Sequence, residues 1–283
     1  MLSPAEIAND VSSGLKHKAT MPLLSVVIMS VMAGGSIGMG DIFWAHATVG
    51  VETPGIANFI GGFAFSVGLM MVVFFGGHLF TSSVMSGVST YDKKLSFAKM
   101  ISYWVIVWIF NFVGSALIAY MYFRSELPLK YGGEILMHFL HLGAGKTALG
   151  VEPAFIRGIF CNVFVCMAVW AAMGAKDTAG KVLAIAFIIA AFVASGYEHC
   201  VANMFIISMG LLAKAYYLVQ VHGDIDALAA LSHISVAKLS TLNISGFFHN
   251  LAPVTAGNIV GGVFFVGILG FIANKPDFKP KDV

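Results

Sequence analysis

From about Val182 to Leu218 the chain is apolar except for one cluster, Ala194-Ser195-Gly196-Tyr197-Glu198-His199-Cys200-Val201-Ala202-Asn203-Met204. The segment is too long for one straight membrane span, which needs about 20 residues. Its glutamate, histidine and asparagine are costly at membrane depth, where such groups usually serve a function. A helix broken at Gly196 reconciles the two facts, provided the freed backbone groups are satisfied by protein or by a water-lined cavity. The stretch therefore predicts a pore or binding site at the centre of a membrane protein.

Composition agrees: 58% of residues are hydrophobic, 11% are charged, and the mean hydropathy is +0.87, against about 25% charged in soluble domains. A chain of 283 residues filled with such runs is read as one integral domain, with no room for a soluble enzyme domain beside it. The lysines are scattered among loops, so the net charge of +2 does not point to nucleic acid. Cys161, Cys166 and Cys200 all fall in apolar runs and read as buried small residues, not disulfides or metal ligands.

Taken in order, residues 1–20 carry the helix-start signal Ser3-Pro4-Ala5-Glu6 and read as a cytoplasmic interfacial helix; the acidic residues ahead of Lys16 and Lys18 argue against a signal peptide. A six-span channel domain is expected over 21–274 and a cytoplasmic tail over 275–283. The spans are Leu23 to Ala47, Ile56 to Phe75, Ile101 to Phe123, Ala154 to Met173, the broken fifth segment, and Leu251 to Ala273. The second run also ends in a break, Gly76-Gly77-His78-Leu79-Phe80-Thr81-Ser82-Ser83. Asp41, near the end of the first span, is read as a charge snorkelling to the interface or paired with a neighbour. With the amino terminus inside, Lys16, Lys18, Lys93, Lys94, Lys99, Lys176, Lys181, Lys275, Lys279 and Lys281 all become cytoplasmic, which satisfies the positive-inside rule.

The chain also repeats itself. Gly77-His78-Leu79 can be laid over Tyr197-Glu198-His199, and Asn111-Phe112-Val113-Gly114 over Asn258-Ile259-Val260-Gly261. Three spans separate the copies, so the expected fold is all-α, with two inverted three-helix halves whose second and fifth helices are broken near the midplane.

The stretch around Glu198-His199, the loop Gly76 to Ser82, Pro253-Val254-Thr255-Ala256-Gly257-Asn258, and Phe160 to Trp170 together resemble the formate/nitrite transporter family along essentially the whole chain. That resemblance implies a homopentamer of aquaporin-like protomers in the lipid bilayer of a prokaryotic inner membrane. Each protomer would have its own path for a small anion such as formate, nitrite, hydrosulfide, acetate or lactate, and no cofactor. By the same resemblance His199 is the central pore histidine, Thr81 the loop threonine that approaches it, and Asn162 and Asn203 the asparagines nearby. Lys146 belongs to the outer vestibule, Phe65, Leu69 and Phe192 to an outer constriction, and Leu79, Phe80 and Val165 to an inner one. Asn258 matches the family's polar position in the last span. His78 departs from the family, which usually has an acid there, and so raises the expectation that the inner loop has its own pH response.

The residues permit this chemistry in their own right. A bare anion in hydrocarbon costs tens of kcal/mol in the idealised limit. Lys146 and half-helix ends can concentrate anions at the mouth, and His199 can give a hydrogen bond or proton to the permeant. Thr81, Asn162 and Asn203 are expected to orient His199, while Glu198 is expected to accept backbone N–H groups of the break. A haem-holding redox subunit would need axial histidine pairs on facing spans, whereas most histidines here lie in loops or at span ends. A water channel would need paired Asn-Pro-Ala loops, which are missing. Among anions, Asn250 to Thr255 and Phe192 to Gly196 resemble formate-type members of the family more than nitrite-type ones, which implies formate.

Overall fold

The computed structural model describes residues 1–275; the expected tail lysines Lys279 and Lys281 lie outside them. Six helical stretches are long and apolar enough to cross a membrane, and the protein is a multi-pass, all-helical membrane protein. Helix α1 (Pro4–Thr20) begins with a capping box in which the Ser3 and Glu6 side chains each bond the other's backbone N–H. The first half follows as α2 (Leu23–Thr48), α3 (Pro54–Phe75), the short α4 (Phe80–Ser83) and α5 (Ser86–Tyr91), and α6 (Phe97–Arg124). A connecting helix α7 (Glu134–Thr147) leads to the second half: α8 (Val151–Gly174), α9 (Thr178–Ala194) and α10 (Cys200–Gln220). Two short helices, α11 (Ile225–Ser232) and α12 (Val236–Thr241), precede the last span. That span starts as α13 (Ile244–Ile259), loosens into a π-helix over Val260–Ile268 and closes with α14 (Leu269–Asn274).

The halves are inverted copies, and their correspondence is atomic. Each broken helix ends on a glycine in the left-handed region, Gly76 (φ +78°) after α3 and Gly196 (φ +73°) after α9, a conformation in which a Cβ is unfavourable. In the first half the N–H of His78 donates to the carbonyl of Met29 (3.1 Å). Asn111 Nδ2 donates to the carbonyls of Ser30 (2.7 Å) and His78 (2.9 Å), while its Oδ1 accepts from the N–H of Phe80 (2.7 Å). In the second half the N–H of Glu198 donates to Arg157 (3.3 Å). Asn258 Nδ2 donates to Gly158 (2.8 Å) and Glu198 (2.9 Å), and its Oδ1 accepts from Cys200 N–H (3.0 Å). Both asparagines are fully buried and supply the partners that backbone freed by a break requires.

The outer helices of each half cross at matching glycines. A Cβ on Gly114 of α6 would strike the Val31 carbonyl of α2, and one on Gly261 of the last span would strike the Ile159 carbonyl of α8. Small residues let backbones approach this closely where lipid gives no hydrophobic drive to helix association. Within the π segment a Cβ on Gly262 would strike Asn162 Nδ2, so the loosened turn lies directly against the polar centre.

Helix α1 is expected from the sequence as an interfacial element, but its apolar face is turned onto the protein. Ile7, Ala8, Val11 and Leu15 are buried with Met85, Val88, Cys166, Trp170, Val266 and Phe271. Leu2 N–H donates to Gly174 O (2.8 Å), and Ser12 Oγ donates to Asp92 (2.9 Å), which also pairs with Lys94 and Lys275. Both ends of the described chain therefore lie at one face of the bundle.

Replacing Gly114 or Gly261 by valine is expected to destabilise the protein by more than the ~1–3 kcal/mol of ordinary overpacking, because the obstacle is backbone; thermal unfolding in detergent is the check. Asn111→Ala and Asn258→Ala each strand one N–H, of Phe80 or Cys200, and one carbonyl of the break, of His78 or Glu198. At roughly 1–3 kcal/mol per unpaired group each should lower the unfolding midpoint by a similar, large amount, and wild-type stability in either variant would mean that the break is paired some other way.

Candidate functional site

The two breaks bring α4 and α10 together at the centre of the bundle. His199, at the N-cap of α10, is 3% exposed and Thr81 of α4 is fully buried; Thr81 Oγ1 and His199 Nε2 lie 2.9 Å apart. The other ring nitrogen, Nδ1, accepts the backbone N–H of Ala202 (3.0 Å). An amide N–H can only donate, so Nδ1 bears no proton and the proton of the neutral ring sits on Nε2. His199 therefore donates to Thr81, leaving the threonine hydroxyl hydrogen free for a third group. A second ring proton would require breaking the cap of α10. In the repeat, His199 falls opposite Leu79 and Thr81 opposite Val201, so the centre holds one polar pair where symmetry would allow two.

The asparagines act at one remove from the histidine, which corrects the expectation that they orient it directly. Asn162 Nδ2 donates to the carbonyls of Thr81 (2.9 Å) and Asn258 (2.5 Å), tying α4 to the last span, and Cys166 Sγ adds a bond to Thr81 O (3.2 Å). Asn203 Nδ2 donates to Glu198 Oε2 (2.6 Å) and to Asn250 Oδ1 (2.8 Å). The Oδ1 atoms of Asn162 and Asn203 are buried without a partner among the described residues.

The role expected for Glu198 also changes. Its carboxylate takes Lys146 Nζ at 2.7 Å and Asn203, and no backbone N–H among the described residues, while Asn258 takes the N–H of Cys200. Lys146 sits in the last turn of α7, four-fifths buried. A cavity of about 200 Å³ opens here on the face opposite the termini, lined by Lys146, Phe65, Phe192, Asn203, His199 and Asp41. Phe65 and Phe192 meet edge to face at 5.8 Å, and Phe192 lies 6.1 Å from the His199 ring. Leu69, one turn further along α3, is 1% exposed.

Asp41 contradicts its sequence reading. It neither snorkels nor pairs: it is 3% exposed, lines the same cavity as Lys146, and its Oδ2 has no hydrogen-bond partner among the described residues.

Toward the termini, Leu79 and Val165 are buried, whereas Phe80 also lines an apolar groove between α6 and α13 beside Trp104 and Trp108. A second cavity lies beyond, lined by Lys18, Gly77, Ser82, Val169 and Lys181. Lys18 Nζ donates to the Gly77 carbonyl (2.9 Å), and burial pushes its ammonium down to about 8. The sequence reading missed this residue as a site candidate, although the repeat contains it: Lys18 stands eleven residues before Met29, and Lys146 eleven before Arg157. His78 is buried, with Nδ1 3.3 Å from Tyr103 OH, which in turn meets Ser83 Oγ at 3.0 Å. One N–H of this loop, that of Phe80, goes to Asn111 and does not depend on the side chain at position 78.

Comparison with known proteins sets this site in a family. A family profile described as formate/nitrite transporter matches residues 5–272. The formate channel FocA of Haemophilus influenzae is 33% identical over 271 residues, covering 94% of this chain and 93% of the relative. A probable formate transporter of Methanothermobacter thermautotrophicus is 35% identical over 286 residues, covering 94% and 95%. A solved structure titled as a pentameric formate channel with formate bound superposes with a TM-score of 0.78 at 32% identity, covering 89% of this chain and 97% of that one. With the profile spanning almost its full length, the chain belongs to the formate/nitrite transporter family.

Proposed function

We propose that this protein is a channel for the small anion of a weak acid, formate first among them, in a prokaryotic inner membrane. Both termini are cytoplasmic, and each protomer of a homopentamer carries its own path. The observation that carries the reading is the Thr81–His199 pair, a hydrogen-bond donor held between two lysine-bearing cavities by buried apolar side chains. The names of the similar formate channels support formate as permeant, and the similar solved chain supports the pentamer. The sidedness rests on the basic residues at the terminal face.

The path works by lowering the cost of a charge in a dry passage. Lys146 attracts the anion into the outer cavity and Lys18 does the same at the inner one. Between them Phe65, Leu69 and Phe192 on one side and Leu79, Phe80 and Val165 on the other exclude water. An unsolvated carboxylate crosses such a stretch far less readily than its neutral acid. At the midpoint the free hydrogen of the Thr81 hydroxyl, polarised by the Nε2–H of His199, donates to the permeant oxygen. Asn162 and Asn258 hold the threonine loop and the head of α10 in register. Nitrite and hydrosulfide satisfy the same donor, and acetate and lactate test the width of the phenylalanine gate.

Parallel uptake of formate, nitrite, hydrosulfide and acetate into proteoliposomes is the direct test, with formate expected to lead and failure of all four to overturn the reading. Loss of a hydrogen bond to a charged group is worth about 1.5–3 kcal/mol, so Thr81→Val is expected to cut formate flux ~10–100-fold. His199→Ala also removes the α10 cap and should cut it at least as far. A second outcome concerns pH at the inner face. Lys18 is charged below about 8 and neutral above it, so formate release from the inner side should fall as internal pH rises through that value. Lys18→Met should start low and lose this step, and a step of wild-type size in the variant would exclude the lysine as its source.

A further inference from the structure

Neutral formic acid passes the phenylalanines more cheaply than formate, so a proton delivered to the permeant in the outer cavity favours its passage. His199 is poorly placed to load it: Nδ1 is occupied by the Ala202 N–H, and Nε2–H is directed at Thr81. Lys146 is held on Glu198 at 2.7 Å. The remaining acid in the outer cavity is Asp41, nine-tenths and more buried, with Oδ2 unpartnered. A carboxylate buried in this way is costly unless it is paired or neutral. An ionised Asp41 would also oppose the attraction of Lys146 for an anion, which makes little sense in an anion vestibule unless the group is protonated when the anion arrives.

Asn203 gives a second, independent indication. Its amide orientation is fixed by two acceptors, Glu198 Oε2 and Asn250 Oδ1, so its own Oδ1 is an acceptor, buried without a donor among the described residues, on a side chain that lines the same cavity. A lone acceptor repels an anion's oxygen and welcomes an O–H. The cavity lined by Phe65 and Phe192 thus holds both an acid and an acceptor suited to the protonated product.

Resting on the channel reading above, we propose that Asp41 is the proton donor of the outer vestibule. The O–H bond of the neutral Asp41 carboxyl breaks as an O–H bond forms on the carboxylate oxygen of formate. The negative charge passes to Asp41, beside Lys146, and the neutral acid, its hydroxyl accepted by Asn203 Oδ1, moves on past Phe65 and Phe192 toward Thr81. Asp41 regains its proton from water on the outer side. The titratable groups facing it are Lys146 on α7, His199 at the head of α10 and Tyr197 in the loop before it, with Glu198 held on the lysine. Further out α7 sets His138 against Trp44 of α2, and α6 sets Tyr122 against His46. Helix α3 contributes Asn58, which does not titrate.

The test is formate uptake into proteoliposomes, with a trapped pH dye, for wild type, Asp41→Asn and Asp41→Glu across external pH. The amide keeps the shape of the side chain but has no proton to give. Asp41→Asn is expected to lose at least ~100-fold in flux, the lower end of general-acid effects, and to lose the rise in flux on external acidification, while Asp41→Glu retains both. Infrared spectra of the wild-type protein should show a protonated carboxyl that responds to added formate and shifts in Asp41→Glu, a readout that stands even if the asparagine variant fails to fold. A wild type that moves formate alongside an Asp41→Asn variant with the same rate and pH profile overturns the role of Asp41 alone. Absence of any formate-responsive protonated carboxyl overturns it equally. A wild type that moves no formate overturns the channel reading and this one with it.

Discussion

Breaking a helix in the middle of a membrane exposes backbone N–H and C=O groups where no lipid can meet them, and this protein does so twice. Each break is closed by a single buried asparagine on the last helix of its half. Asn111 and Asn258 each pair one N–H and two carbonyls, and each joins three helices in doing so. The crossings at Gly114 and Gly261 bring those asparagine-bearing helices near enough for the bonds to form. The positions of α4 and α10, and so the whole polar centre, follow from these bonds.

Because the asparagines satisfy the breaks, the side chains at the tips are released for other work. Glu198 holds Lys146 and Asn203, and the Phe80 N–H is served by Asn111 whatever side chain stands at position 78. His199 is spent partly on capping α10, which fixes its tautomer and sends its one ring proton to Thr81. A neutral histidine fixed in this way is a hydrogen-bond donor more than a proton shuttle. That shifts the question of proton supply to the cavity lined by Phe65 and Phe192, where Asp41 stands with Lys146.

Much of the architecture was legible beforehand because it is written in periods and punctuation. Spans follow from apolar length, breaks from glycine next to polar residues, and the inverted repeat from the pairing of Gly77-His78-Leu79 with Tyr197-Glu198-His199 and of Asn111 with Asn258. The same repeat contained Lys18, but a lysine in an amphipathic helix carries no mark of burial until that helix is seen folded under the bundle. Side-chain partners were the weaker part: Asn162 and Asn203 were placed near the histidine by resemblance, yet they bond Thr81 O and Glu198.

What the sequence by itself determined is the all-helical, six-span, twice-broken architecture, since hydrocarbon forces each span to satisfy its own backbone and so to advertise its ends and breaks locally. What only the tertiary structure decided is how the polar side chains are shared: which ring nitrogen of His199 bears the proton, that Glu198 serves a lysine in place of the backbone, and that Asp41 lines a cavity with its Oδ2 unpartnered among the described residues. Those outcomes depend on competition among donors and acceptors that lie tens of residues apart in the chain and meet only when the two halves close on each other.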